Sequence, residues 1–330
     1  MKKEILCLSL IAGAMVLYAC NGQTQPKAIS DNVALYQTAS LDMKDLEIKE
    51  NSNCVFEDLK GNMWYGSNGN GLTKYDGNNY SYYNIEQGLS GNFVRDIEQD
   101  KMGNLWISTN KGVNFYNGIF FINFSEKIPL KGKETFGMYK DNAENIYVGA
   151  YAGYYKFNGS DFNYVKLPMF DSSLKEQDYT VRSFLMDDQG NLWLGTQAAG
   201  VFKYDGKKYS QYLSNGLNRG TNSSIIQDKE GLIWIGNNVN GLVNFDGESF
   251  SNYIITGMVK KNNKEVEEPI SVSSMINDDE GNIWVGSQNM GLWKINNKNN
   301  KRIETKSSFV NSLFIDSKGK IWVSLMNDNC

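Results

Sequence analysis

Short apolar runs separated by polar turns recur along this chain as one repeated phrase. Residues 190–206, GNLWLGTQAAGVFKYDG, show its parts: a glycine turn, a run centred on an aromatic residue, a second glycine, then Tyr-Asp-Gly. The central aromatic returns as Trp64, Trp106, Tyr147, Trp193, Trp234, Trp284 and Trp322, at spacings of 42, 41, 46, 41, 50 and 38. Only Trp293, of seven tryptophans, lies outside that register. A period of this length is the mark of a repeat architecture.

Each unit reads as four strands. The first is a short apolar run such as Ser224-Ile225-Ile226, closed by an Asp-x-x-Gly turn. The Asp stands in all seven units, as Asp58, Asp100, Asp141, Asp187, Asp228, Asp278 and Asp316. The Gly stands in six, with Glu144 in the third. An Asp carboxylate can take backbone N–H groups of such a turn, and Gly accepts positive φ. The second strand carries the Trp, and the third ends on Asn/Asp-Gly pairs such as Asp76-Gly77 and Asp205-Gly206, the signal for a two-residue hairpin turn. The fourth is polar and aromatic, as in Tyr80-Ser81-Tyr82-Tyr83, and suits an outer edge. Four antiparallel strands per unit predict an all-β propeller, with the Trp packed between blades. The seventh unit stops after its second strand. Val33 to Thr38 resembles a fourth strand and is expected to close that blade, giving seven blades; six blades plus a tail is the alternative.

Composition narrows the chemistry. The 330 residues carry a net charge of −4 without a basic stripe, which argues against a nucleic-acid partner. There is no histidine, so no Ser-His-Asp triad, Cys-His dyad or His-ligated metal is possible. The seven turn aspartates sit one per blade and read as structural, so neither a metal nor a cofactor is expected. Met1-Lys2-Lys3, an apolar stretch from Ile5 to Ala19, and Cys20 resemble a bacterial lipoprotein signal. Residues 1–19 would be removed, Cys20 would carry the lipid, 20–32 would be a linker and 33–330 the single propeller domain. An ordinary secretory signal is the other reading. The protein is expected to be exported and held on the periplasmic face of the outer membrane, with the cell surface as the alternative. A Cys54–Cys330 disulfide is conceivable if the ring closes.

The phrase D-x-x-G-N-[LIM]-W-[IVLY]-G-[ST]…G-[LV]-x-[KR]-[YF]-[DN]-G resembles the two-component-regulator propeller repeat. Asp187 to Gly206 matches it well, Asp58 to Gly77 and Asp278 to Asn296 nearly as well, and the resemblance runs from about residue 51 to 325. In that family the propeller is typically the periplasmic, ligand-sensing half of a membrane histidine kinase, often responding to glycans. The pattern residues are turns and packing, so they specify the blade and leave the ligand open. This chain shows no second propeller, spanning helix, kinase core or DNA-binding module, so it resembles the sensor module alone.

Counting back eight positions from each turn Gly places Asn53, Arg95, Phe136, Arg182, Ser223, Ser273 and Asn311 toward the central channel, followed by Cys54, Asp96, Gly137, Ser183, Ser224, Ser274 and Ser312. Arginine near a crowded axis calls for Asp96 or a neighbouring acid as partner, or for an anionic or hydroxyl-rich ligand. Arg95 and Arg182 with loop residues Asn68, Asn70, Asn110, Tyr151, Gln197, Asn238 and Gln288 are the candidate ligand-binding set. Amides, a tyrosine and arginines suit a glycan or a peptide. A non-enzymatic sensor or binding module is the leading expectation. The alternatives are a protein-interaction or structural subunit of an outer-membrane complex and, further off, a His-independent lyase or hydrolase. Of the longer connections, 166–178 and 257–269, the second (GMVKKNNKEVEEP) reads as a charged, solvated loop.

Overall fold

The repeated Asp organises each unit by saturating its carboxylate. In the fourth unit Asp187 Oδ1 accepts the backbone N–H groups of Gln189 (3.0 Å) and Asn191 (2.8 Å), while Oδ2 accepts Asn191 Nδ2 (2.8 Å) and Trp193 Nε1 (2.8 Å). The turn and the tryptophan six residues later are thus one hydrogen-bonded piece. Trp64, Trp234, Trp284 and Trp322 repeat the bond to their own turn aspartates, and the Tyr147 hydroxyl makes it to Asp141. Trp106 instead sits among Phe115, Phe124, Phe157 and Phe162. A lysine covers the aromatic ring in several units, as Lys203 does over Trp193 at 5.3 Å, which explains the basic position of the repeat.

The computed structural model describes residues 33–37, 52–124, 134–217, 220–261, 264–296 and 300–326, with backbone only at 33–37, 260 and 261. The 1–19 segment, Cys20, the 20–32 linker and Cys330 lie outside the described residues. Six antiparallel four-stranded sheets follow one another, each in chain order from inner to outer strand. Blade one is Ser52–Glu57, Met63–Ser67, Leu72–Tyr75 and Tyr80–Tyr83. The inner strands of the next five are Val94–Gln99, Thr135–Lys140, Val181–Met186, Asn222–Gln227 and Val272–Asn277. A three-stranded sheet of Val310–Ile315, Ile321–Leu325 and Val33–Gln37 packs between blade six and blade one. Ser273 Oγ donates to Val310 O (2.6 Å) on one side, and Ser324 Oγ to Ser52 O (2.7 Å) on the other. The protein is an all-β propeller with six complete blades and two smaller sheets.

The N-terminal strand pairs with the last sheet as expected and forms its outer edge, and one expectation, the irregular charged loop, needs correction. Val33–Gln37 lies directly beside Ile321–Leu325 and parallel to it, with Ala34 opposite Trp322. Parallel to the second strand is the direction of a fourth strand. With no third strand in that sheet, it occupies the third strand's place. The charged 257–269 insertion is no irregular loop. It forms a hairpin, Thr256–Lys261 against Lys264–Pro269, with Val259 opposite Val266 and Lys260 opposite Glu265. Alternating residues on both arms support cross-strand pairing.

Neighbouring blades come into close contact where the second strand carries Gly two residues after its aromatic. A Cβ on Gly286 would come within 2.6 Å of Val310 Cγ1, and one on Gly236 would collide with Val272. Where the repeat has Ser instead, the hydroxyl bonds across the gap, as Ser108 Oγ does to Phe136 O (2.9 Å). Gly236→Val should therefore cost about 2–3 kcal/mol through overpacking. Chemical denaturation should show a lowered midpoint with an unchanged slope.

Candidate functional site

Every inner strand carries a bulge, and the bulge builds the channel wall. Pairing with the second strand slips between Ser52 and Cys54, Val94 and Asp96, Thr135 and Met138, Val181 and Ser183, Asn222 and Ser224, Val272 and Ser274, and Val310 and Ser312. The skipped residues include Asn53, Arg95, Phe136, Arg182, Ser223, Ser273 and Asn311. An extra residue leaves the ladder and re-aims its side chain.

In four sheets that side chain bonds the next sheet. Asn53 Nδ2 donates to Val94 O (2.9 Å), Ser223 Oγ to Val272 O (2.7 Å), Ser273 Oγ to Val310 O (2.6 Å) and Asn311 Nδ2 to Ser52 O (3.0 Å). Blades two, three and four break the pattern with Arg95, Phe136 and Arg182. Their carbons Cζ lie 5.7 Å (Arg95) and 3.7 Å (Arg182) from the Phe136 ring centroid, so one buried aromatic carries two guanidinium groups. Burial, and then the charge of Arg95, lower Arg182 to about 10, which leaves it protonated at neutral pH. Arg182 Nη2 donates to Gln197 Oε1. The acid facing Arg95 is Glu134, whose Oε2 lies 3.8 Å from Nη2 and whose side chain is 51% exposed. A pair that open to water contributes little. Both arginines keep a buried Nε–H without a partner.

Asp96 is not that partner. Its Oδ1 accepts Ile97 N (2.9 Å) and its Oδ2 accepts Met138 N (2.8 Å), while burial pushes its pKa up to about 6. Two residues on, Glu98 stands where the other inner strands have Phe56, Tyr139, Leu185, Ile226, Ile276 and Phe314. Its side chain is half-buried, and desolvation followed by the charge of Asp96 raises the carboxyl to about 8. Cys54 is a buried free thiol, also raised by burial and then by Asp96, and it makes no disulfide among the described residues.

The candidate loop residues share one register. Asn68, Asn110, Tyr151, Gln197, Asn238 and Gln288 each follow the inward-turned residue of their own sheet by 15 positions. The backbones of Asn110, Gln197, Asn238 and Gln288 extend the inner pairing, through bonds to Phe93 O, Thr180 O, Thr221 O and Ser271 O. Only Gln197 meets a candidate arginine. Asn110 keeps a buried Oδ1 without a partner. Asn238 Oδ1 accepts Thr221 N (2.7 Å), and Gln288 Oε1 receives Ser271 Oγ (3.4 Å). Tyr151 offers its carbonyl to the Tyr164 hydroxyl (2.8 Å), Asn70 N bonds Ser67 Oγ (2.8 Å), and the Asn68 backbone bridges to Phe93. The structure therefore gathers Arg95, Phe136, Arg182, Gln197 and Glu134. Phe136 and Glu134 were not among the candidate residues, although the spacing that placed the two arginines also placed Phe136 between them. A separate cleft of about 500 Å³ opens at the foot of the hairpin, lined by Asn215, Asn240, Tyr253 and Pro269 among others. Among the described residues, no three His, Cys, Asp or Glu side chains are grouped to hold a metal ion.

Comparison with known proteins agrees with this architecture. The two component regulator propeller family matches residues 88–111, 175–198 and 268–289, and each window spans an inner strand, its turn and the second strand. A search of the curated proteins found no match. Among solved structures, a streptogramin B lyase superposes with a TM-score of 0.67 at 12% identity, over 85% of this chain and 92% of the lyase. Virginiamycin B lyase from Staphylococcus aureus gives 0.66 at 11%, over 84% and 92%. The extracellular domain of the putative hybrid two component system BT3049 from B. thetaiotaomicron gives 0.62 at 22%, over 84% of this chain and 38% of that domain. At these identities the likeness is one of fold. Repeat, turn chemistry and ring together make this chain a β-propeller, three stretches of which match the two component regulator propeller repeat.

Proposed function

We propose that this protein is a non-enzymatic, sensor-type binding module that takes a glycan or a peptide at the mouth of its channel. The observation that carries the reading is the Arg95–Phe136–Arg182 stack. It stands where other sheets use short polar side chains to tie neighbour to neighbour, and it gives up those ties for two guanidinium groups with one half-exposed acid beside Arg95. Charged groups so placed are better explained by recognition than by packing. A non-catalytic role is favoured by the absence of histidine. In the virginiamycin B lyase, a histidine-to-alanine variant is described as catalytically inactive. In this reading the three-stranded sheet is an incomplete seventh blade, closed by the N-terminal strand. The chain is exported by residues 1–19 and held by lipid at Cys20 on the periplasmic side of the outer membrane.

A thermal-shift screen of residues 21–330 against glycan and peptide libraries tests this. A ligand at 100 times its Kd stabilises by about 2.7 kcal/mol. The shift should vanish in Arg95→Ala/Arg182→Ala while the unliganded melting temperature changes little. A shift retained in that variant would move the site elsewhere. One observation favours a second reading, a protein-interaction surface. Leu59, Met102, Ile119 and Phe120, on turns of the first two blades, are 73%, 82%, 84% and 52% exposed. Such side chains suit a partner protein. If that reading holds, replacing all four by Ser should abolish partner capture and leave ligand binding intact.

A further inference from the structure

We propose that Arg95 and Arg182 form a carboxylate clamp across Phe136, so that the ligand of this site is an acidic saccharide. The proposal rests on the channel-mouth reading above and names its ligand class. Four observations lead to it. Two like charges share one aromatic plate, an arrangement that is costly unless an anion enters. The acid present, Glu134, is half exposed and 3.8 Å from Arg95, so it leaves the pair with a net positive charge. Gln197 holds one edge of the Arg182 guanidinium, which fixes its plane against Phe136 as a charge-assisted recognition group needs. The buried Nε–H groups of both arginines have no acceptor, so neither guanidinium is fully used by the fold.

The surroundings select a sugar. Asn53, Ser223, Ser273 and Asn311 line the same level of the channel with amides and hydroxyls. Their oxygens retain lone pairs for ligand hydroxyl groups. Asn110, with its unpartnered buried Oδ1, lies in blade two in the register that Gln197 holds in blade four. A hexuronic acid presents what this wall lacks: one planar monoanionic carboxylate beside several hydroxyls.

The test is titration calorimetry at low salt with digalacturonate, the matching neutral galactobiose and an acidic tripeptide. Digalacturonate should bind at least tenfold more tightly than galactobiose, and its affinity should fall as salt is raised. Arg95→Gln and Arg182→Gln should each weaken it tenfold or more, with melting temperatures confirming a folded protein. Arg182→Lys, which keeps the charge but loses the flat contact with Phe136, should recover only part of the affinity. Equal binding of galactobiose would overturn the clamp while leaving glycan binding at the mouth standing. Binding of the tripeptide alone would overturn the saccharide class. Digalacturonate binding that survives both Gln variants would overturn the assignment of the arginines. Silence from all three probes would overturn the clamp, and the broad library screen would then decide the channel-mouth reading separately.

Discussion

Asp187→Ala should destabilise the propeller by about 3–5 kcal/mol, and calorimetry should record a melting temperature lower by about 8–15 °C. The residue is 7% exposed and its carboxylate serves two backbone donors, one amide and one indole. Truncation leaves Trp193 Nε1, on a side chain with no exposed surface, without an acceptor, and a buried donor left unmet costs its desolvation in full. Asp187→Asn should fall between. One amide oxygen can serve either the turn or the indole, and the new NH2 group then faces a donor. Asp205→Ala at the exposed turn of the same blade is the control. Asp205 Oδ1 accepts only Lys207 N and Lys208 N (both 2.9 Å), and its loss should cost about 1 kcal/mol or less. Equal losses at the two sites would mean that the Asp–Trp bond contributes nothing beyond turn formation.

Glu98→Gln should remove most of a pH dependence of stability that the wild type shows between pH 6 and pH 9. The folded pKa of Glu98 is raised to about 8 from an ordinary 4.5 by burial and then by Asp96, against weaker opposing effects of Lys140. A raised pKa contributes stability that is full below 4.5 and is lost as pH rises through 8, because the unfolded chain ionises first. Asp96, raised to about 6, acts in the same direction over a lower range. Asp58, Asp141 and Asp278 act in the opposite direction. Burial alone would raise them, but the turn and ring donors outweigh it and hold them low, so their contribution is lost only as pH falls below 3.8. The wild type should therefore weaken at both ends. At pH 9 Glu98→Gln should be more stable than wild type by about 2–4 kcal/mol, and at pH 5 the two should agree. Parallel melting curves at all pH values would show that the Glu98 carboxyl is solvated in the folded state.

Much of this protein was determined by local sequence. An Asp, a Gly three residues on and an aromatic six residues on make a hairpin whose turn and second strand are bonded through one carboxylate. Asn/Asp-Gly pairs make the outer turns, as at Asp205, and the glycine after the aromatic lets adjacent blades meet. These are short-range constraints, repeated until the sheets stack. Even the two channel arginines were visible by counting from the turn.

The tertiary structure decided what no local pattern carries. A bulge shared by all the inner strands lets the consecutive residues Arg95 and Asp96 both reach blade three, Arg95 over the Phe136 ring and Asp96 through Met138 N. Contact across sheets put Phe136 between two arginines that are 87 residues apart, and it paired Arg95 with Glu134 rather than with its neighbour Asp96. The N-terminal strand found the third place in the last sheet because backbone groups at a vacant edge accept whatever strand arrives in a compatible direction. Propensity can identify such a strand, but its partner is chosen only when the ring closes.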